Sequence, residues 1–193
     1  MTRALFIVDV QNDFTEGGAL GVTGGDAVAE GITAHLTAHA GDYGVIVASR
    51  DWHDPDSDNG GHIALAGDPD FVDRWPVHCI AGTAGAEYDP LLATDAVTHH
   101  VRKGQGVPAY SLFEGTTETG ERVADILAAQ GVSDVDVTGI ATDHCVRASA
   151  LDAIDHGIHV RVLTDLVAGV APASSEAALA ELAHAGAELR DAR

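Results

Sequence analysis

Short runs of consecutive apolar residues alternate along this chain with longer stretches whose apolar positions recur at helical spacing. Ala4-Leu5-Phe6-Ile7-Val8 is the first run, uninterrupted and ended by Asp9. Such a run predicts a strand covered on both faces, as in a parallel sheet. Asp26 to His39 carries an Ala/Val/Ile face and predicts a helix. Tyr43 to Ser49, with Val45-Ile46-Val47-Ala48 at its centre, predicts a second buried strand. Ala96–Val101 is a weaker third strand, and Leu91–Ala93 reads as the end of a short helix. Thr119–Gln130 reads as a helix stopped by Gly131. Val135–Thr138 is a fourth strand, Arg147–Asp155 an Ala-rich helix, and Ile158–Thr164 a fifth strand. Pro172–Ala185 is a last helix with Pro near its start, and Gly186–Leu189 adds a short edge strand.

This alternation predicts an α/β fold: three layers, α/β/α, around a mostly parallel, doubly wound sheet of about six strands. At 193 residues, with no linker, repeat or low-complexity tract, residues 1–193 read as a single domain. The net charge of −20 argues against a nucleic-acid surface and against anionic membranes. No stretch reaches the ~20 apolar residues of a membrane helix, and the apolar run after Met1 is too short for a secretory signal. Two cysteines, Cys79 and Cys145, make no disulfide framework, so a reducing, cytoplasmic setting is expected. A homo-oligomer is compatible with this composition and is not required by it.

Candidate chemistry gathers just after the strands. Gly139-Ile140-Ala141-Thr142-Asp143-His144-Cys145-Val146 leads from a strand through a sharp turn into a helix. Thr142 or Asp143 is expected to cap that helix. A thiol in its first turn sits in a positive field that favours the thiolate, although a buried structural cysteine reads the same way in isolation. Asp9 ends the first strand, where a carboxylate needs a partner or serves as a cap. Lys103 is the single lysine among ten basic residues and follows the third strand. Arg is used at every other basic position, so an amine here points to a need for a compact ammonium. Arg50-Asp51-Trp52-His53, His62 and Trp75-Pro76-Val77-His78-Cys79 bring one carboxylate and three imidazoles from loops, a ligand set suited to a metal. Asp51 and His53 point the same way if the backbone is extended. In an open parallel sheet ligands bind at the carboxyl ends of the strands, so Asp9, Asp51, His53, Lys103 and Cys145 are expected to form one site.

In these motifs the chain resembles the isochorismatase-like cysteine hydrolases, and within them the nicotinamidases. The resemblance runs from Ala4 to about Leu166. It rests on Phe6 to Phe14, Arg50 to His53, Trp75 to Cys79, Gly82 to Glu87, Arg102-Lys103-Gly104 and Gly139 to Val146. It implies a catalytic triad of Asp9, Lys103 and Cys145, and an oxyanion hole of the Ala141 and Cys145 N–H groups with a cis peptide before Ala141. It implies one divalent metal ion, zinc first and iron or manganese otherwise, on Asp51, His53, His62 and His78. Phe14, Trp75 and Tyr110 are expected around the substrate ring, with nicotinamide or pyrazinamide as substrate. The family's middle imidazole falls about six residues after the one matching His53, a place held here by Asn59; a Gly-rich loop absorbs extra length cheaply, so His62 is taken as the ligand and Asn59 as a spacer. A metal-free amide hydrolase acting on carbamoyl or ureido groups, an isochorismatase acting on a vinyl ether, and a non-catalytic binding protein are the alternatives; the metal cluster and the intact triad argue against them.

Overall fold

The computed structural model of the chain describes residues 2–192. Its centre is a seven-stranded sheet in the order β4-β3-β2-β1-β5-β6-β7. The strands are β1 (Thr2–Val8), β2 (Val45–Asp51), β3 (His99–Lys103), β4 (Thr116–Thr117), β5 (Val132–Ile140), β6 (His159–Ala168) and β7 (Glu188–Arg190). All neighbours pair in parallel except β3 and β4. The helices are α1 (Gly25–His39), α2 (Val123–Ala129), α3 (Arg147–Asp155) and α4 (Pro172–Ala185). Leu5, Ile7, Ile46 and Ala48 face α1 through Val28, Ala29, Ile32 and Leu36. Phe6, Val8, Val47, Val135 and Val137 face the other layer, with Val123, Ile126, Val146, Ala150 and Leu182. The continuous apolar runs are thus buried on both faces, as a parallel sheet requires.

Three expectations are corrected. The sheet has a strand more than expected, because β4 is a two-residue antiparallel edge (Arg102 opposite Thr116) with no apolar signature. The helix expected over Thr119–Gln130 starts only at Val123: Thr117 and Glu121 close a turn through Gly120 at φ 86°. No helix forms at Leu91–Ala93, where Asp89 accepts from the Leu91 N–H in a turn. The helices Arg147–Asp155 and Pro172–Ala185 fall where the pattern placed them.

The sheet order positions the site. From β1 the chain adds β2, β3 and β4 on one side, then returns to pair β5 on the other. The switch point therefore lies between β1 and β5, where a crevice opens beyond the strand ends. Asp9 follows β1 there, and the turn bearing Cys145 follows β5. Asp51 and Lys103 are register partners at the ends of β2 and β3. Close approach of β5 to β1 needs a glycine: Gly139 sits at φ 114°, and a Cβ there would lie 2.1 Å from the Val8 carbonyl oxygen.

Candidate active site

Four strand ends deliver their side chains to one buried point. The Lys103 side chain is fully buried, and its Nζ lies 2.9 Å from Asp9 Oδ2, in close contact with Asp51 Oδ1, 3.2 Å from the Ala109 carbonyl oxygen and 3.7 Å from Cys145 Sγ. One ammonium thus joins both carboxylates to the thiol. Burial works against its charge, but Asp51, Asp9 and Cys145 together hold its pKa well above the usual lysine value. Asp51 is pushed up by burial and pulled down further by Lys103, His53 and His78, so it stays ionised.

Asp9 is fully buried with its backbone in the left-handed region, φ 47°. Ser49 Oγ donates to Asp9 Oδ1 at 2.7 Å. Oδ2 faces Lys103 without an aligned hydrogen bond, which leaves it as the oxygen able to take a proton. Burial raises the Asp9 pKa, the Lys103 ammonium opposes it, and the Asp51 charge adds to the rise.

Cys145 departs from the sequence expectation. Its thiol is pushed well above the ordinary value by burial, against the pull of Lys103, with Asp9 and Asp51 adding to the rise. Burial and the two carboxylates therefore favour the protonated thiol beside Asp9. The expected cap is also absent, since neither Thr142 nor Asp143 caps this turn. Asp143 instead accepts from the Val170 and Ala171 N–H groups (3.0 and 3.3 Å) and from Ser174 Oγ, at the start of α4. Thr142–Val146 is a π-helical turn, a form common at functional sites. The Ala141 carbonyl accepts from His144 and Val146 at 3.0 and 3.1 Å; the Cys145 N–H between them is not among its donors. The Ile140–Ala141 peptide is cis, as the resemblance implied.

Beside this group three imidazoles converge. His53 Nε2 and His78 Nε2 are 3.2 Å apart, and Asp51 Oδ2 lies 3.7 and 3.9 Å from them. His53 Nδ1 meets the Gly104 carbonyl at 2.8 Å and His78 Nδ1 the Pro76 carbonyl at 2.7 Å. Carbonyls only accept, so both Nδ1 atoms carry the proton and both Nε2 lone pairs face the same point. His62 completes the cluster, its ligand atom within 4.8 Å of the others, and its Nδ1 is buried without a partner. Burial, His53 and His78 depress His62 to about 4. Neutral imidazoles whose lone pairs crowd together, with orienting carbonyls behind them, are what a divalent cation requires, so the donor set fits a metal. Gly104 makes this packing: at φ 80°, a Cβ there would stand 2.6 Å from the His53 ring.

Asn59 is more than the spacer expected. It is fully buried; its Oδ1 accepts from Asp54 N and Gly106 N, and its Nδ2 donates to the Asp54 and Ser57 carbonyls. It organises the loop that carries His62 and braces the one that follows Lys103. Other positions were missed. Ser49 carried a signal that could have found it, a polar residue at the end of an apolar run. Gln11 carried none: its amide bonds both the N–H and the carbonyl of Asp51, at 2.8 and 2.9 Å. Asp13 accepts from the Cys79 N–H at 2.7 Å, fixing the segment behind His78.

Of these groups, Asp51, His62, His78 and Cys145 open on a cavity of about 670 Å³, with Asp9, Lys103 and His53 buried behind them. Phe14, Trp75 and Tyr110 line it as expected, together with Ala141 and Cys145. Phe14 packs on His78, and Trp75 Nε1 donates to the Tyr110 hydroxyl at 3.1 Å. His144 lines it too, edge-on to Trp75 at 5.2 Å.

Buried acid, ammonium and thiol meet at the switch point of a parallel sheet, a set of groups able to serve nucleophilic catalysis in an α/β hydrolase. Comparison with known proteins narrows this. Residues 3–193 match the isochorismatase domain, and the chain belongs to the isochorismatase family. It is 50% identical to the nicotinamidase/pyrazinamidase of Mycobacterium tuberculosis over 187 residues, covering 97% of each chain. Among solved structures it resembles PnC1 from L. infantum in complex with nicotinate, at TM-score 0.83 and 36% identity over 98% of this chain and 92% of that one. The pyrazinamidase of Pyrococcus horikoshii in complex with zinc matches at TM-score 0.83 and 38% identity over 99% of both chains.

Proposed function

We propose that this chain is a nicotinamidase, hydrolysing nicotinamide to nicotinate and ammonia through a thioester on Cys145, and accepting pyrazinamide as a congener. The observation that carries the reading is the Lys103 ammonium lying against Asp9, Asp51 and Cys145 while His53, His62 and His78 converge on one point beside it, His62 and His78 lining the same cavity as Cys145. The M. tuberculosis relative and the nicotinate-bound L. infantum structure support it.

The residues then take these roles. Cys145 Sγ attacks the carboxamide carbon and passes its proton to Asp9 Oδ2. The Ala141 and Cys145 N–H groups hold the oxyanion; one such donor is generally worth about 2.7–4 kcal/mol of barrier. Asp9 returns the proton to the departing amine, releasing ammonia and leaving the acyl group on sulfur. It then takes a proton from the water that attacks the thioester and returns it to the departing Cys145 sulfur, so the thiol and the Asp9 carboxylate are both restored, and the acid product gives up its proton to solvent as nicotinate. Lys103 keeps its charge throughout and stabilises Asp9 as a carboxylate in the proton-accepting steps. Phe14, Trp75 and Tyr110 flank the ring. Asp51, His53, His62 and His78 would hold one divalent cation, zinc by the example of the P. horikoshii structure, with iron or manganese also suited to such ligands. Such a cation would supply a Lewis-acidic anchor for the pyridine nitrogen.

We read residues 1–193 as one catalytic domain acting in the cytoplasm, where both free thiols stay reduced. Among the described residues no helix is long and apolar enough to cross a membrane. The test is ammonia release from nicotinamide, with and without a chelator. The expected result is turnover that chelation abolishes and metal restores; no release from the metal-loaded protein would refute the reading.

A further inference from the structure

The cavity changes character between floor and mouth. At the floor Asp51, His62, His78 and Cys145 are 3, 2, 3 and 7% exposed; at the mouth Phe71, Val72 and Val170 are 58, 68 and 55% exposed. Of the two carboxylates lining the cavity, Asp51 is engaged by Lys103, and Asp143 is turned into hydrogen bonds with Val170, Ala171 and Ser174. The mouth therefore presents apolar side chains. A volume of about 670 Å³ is in the range that encloses drug-sized ligands, larger than one substituted six-membered ring needs.

Phe71 is held at this mouth against its own preference. Its φ is 58°, the left-handed region that a bulky aromatic avoids. The turn enforcing it is built by Asp70, whose Oδ1 accepts from the Val72, Asp73 and Arg74 N–H groups at 2.9, 3.0 and 2.9 Å. The Phe71 ring then meets Trp75 edge-on, with centroids 6.3 Å apart. Backbone strain persisting at a site rim marks a side chain whose placement is used.

Substrate geometry decides what reaches this rim. In nicotinamide the ring nitrogen and the carboxamide are meta to one another. With the nitrogen at the imidazoles and the carboxamide at Cys145, the ring carbon between them faces the floor. Ring carbon 5, diametrically opposite, faces the mouth. We propose that the mouth is a second subsite that takes an uncharged alkyl substituent on ring carbon 5 of a nicotinamide-type carboxamide. Phe71, Val72 and Val170 are its specificity-determining side chains. This rests on the nicotinamidase reading above, and the bond broken is the same carboxamide C–N bond.

The experiment compares kcat/KM for nicotinamide, 5-propylnicotinamide and 5-(2-carboxyethyl)nicotinamide in the wild-type enzyme and in the double variant Phe71→Asn/Val72→Ser. Asn tolerates the left-handed backbone, so the turn is retained. In the wild type the propyl compound is expected within about tenfold of nicotinamide, and the charged compound at least about tenfold below the propyl one. The double variant is expected to lower the propyl compound by about tenfold and to leave nicotinamide within about twofold. Exclusion of the propyl compound, acceptance of the charged one as readily as the propyl one, or parallel loss of nicotinamide and propyl turnover in the variant would each overturn the subsite. Absence of nicotinamide turnover in the wild type overturns the parent reading and the subsite with it. Normal nicotinamide turnover with the propyl compound excluded overturns the subsite alone.

Discussion

Replacing Lys103 by Arg keeps a cation in place and asks whether charge alone suffices. The ammonium is in close contact with Asp51 and lies 2.9 Å from Asp9, 3.2 Å from the Ala109 carbonyl oxygen and 3.7 Å from Cys145 Sγ. A guanidinium adds atoms in a rigid plane and donates in a fixed fork. No shared point lets that fork satisfy two carboxylates, a carbonyl and a thiol at once. Overpacking a filled site costs about 1–3 kcal/mol of stability. A displacement of Asp9 or Cys145 near ~1 Å costs about a hundredfold in rate, or roughly 2.7 kcal/mol of barrier. Lys103→Met, by contrast, leaves Asp9 buried without a counter-charge. Breaking a buried pair in that way costs about 3–5 kcal/mol, moderated if one carboxyl takes up a proton. The assay is kcat/KM for nicotinamide, with denaturant midpoints and elemental analysis alongside, because Lys103 also touches Asp51. Lys103→Arg is expected to fold, hold metal and lose about a hundredfold in kcat/KM. Activity within about threefold of wild type would refute the geometric argument and reduce Lys103 to a generic charge.

Further outcomes follow from the same geometry. His62→Ala is expected to lower metal stoichiometry and raise KM, since the His62 imidazole completes the cluster with His53 and His78; full metal occupancy by elemental analysis would remove His62 from it. Ser49→Ala removes the donor holding Asp9 Oδ1 and is expected to lower kcat by roughly ten- to a hundredfold with KM little changed, a hydrogen bond to a charged group being worth about 1.5–3 kcal/mol; an unchanged kcat would show that Asp9 needs no such anchor. His62 has its folded pKa depressed to about 4, below the ordinary 6.5. Its contribution to stability is therefore present above pH 6.5 and is lost as pH falls toward 4. The metal-free protein should lose melting temperature across that window more steeply than metal-free His62→Gln; parallel slopes would contradict the depressed pKa.

The sequence disclosed most of what the strands do and part of what the loops do. Asp9, Asp51 and Lys103 were legible because each is a charged residue ending an apolar strand, a place where burial forces it to have a purpose. Cys145 was legible from its strand–turn–helix setting, but its acidity was not. That depends on how many carboxylates share its buried pocket, and only the sheet order brings Asp9 and Asp51 beside it. His62 came from loop-length reasoning, and its convergence with His53 and His78 agrees with it. Asn59 was misjudged because side-chain bonds to loop backbone carry no periodic signal. The antiparallel edge β4 escaped for the same reason: two threonines have no pattern to read. The carbonyls of Gly104 and Pro76, which fix the imidazole tautomers, belong to every residue alike and cannot be read from residue type.

The proposed chemistry requires Cys145 to carry the acyl group. Rapid acid quench of the enzyme turning over nicotinamide, followed by mass analysis of its peptides, tests this most directly. The expected result is a nicotinoyl group on the peptide containing Cys145. Cys145→Ala should show none, while keeping its fold and metal and releasing no ammonia. A nicotinoyl group on Cys79, or ammonia release persisting in Cys145→Ala, would contradict the account.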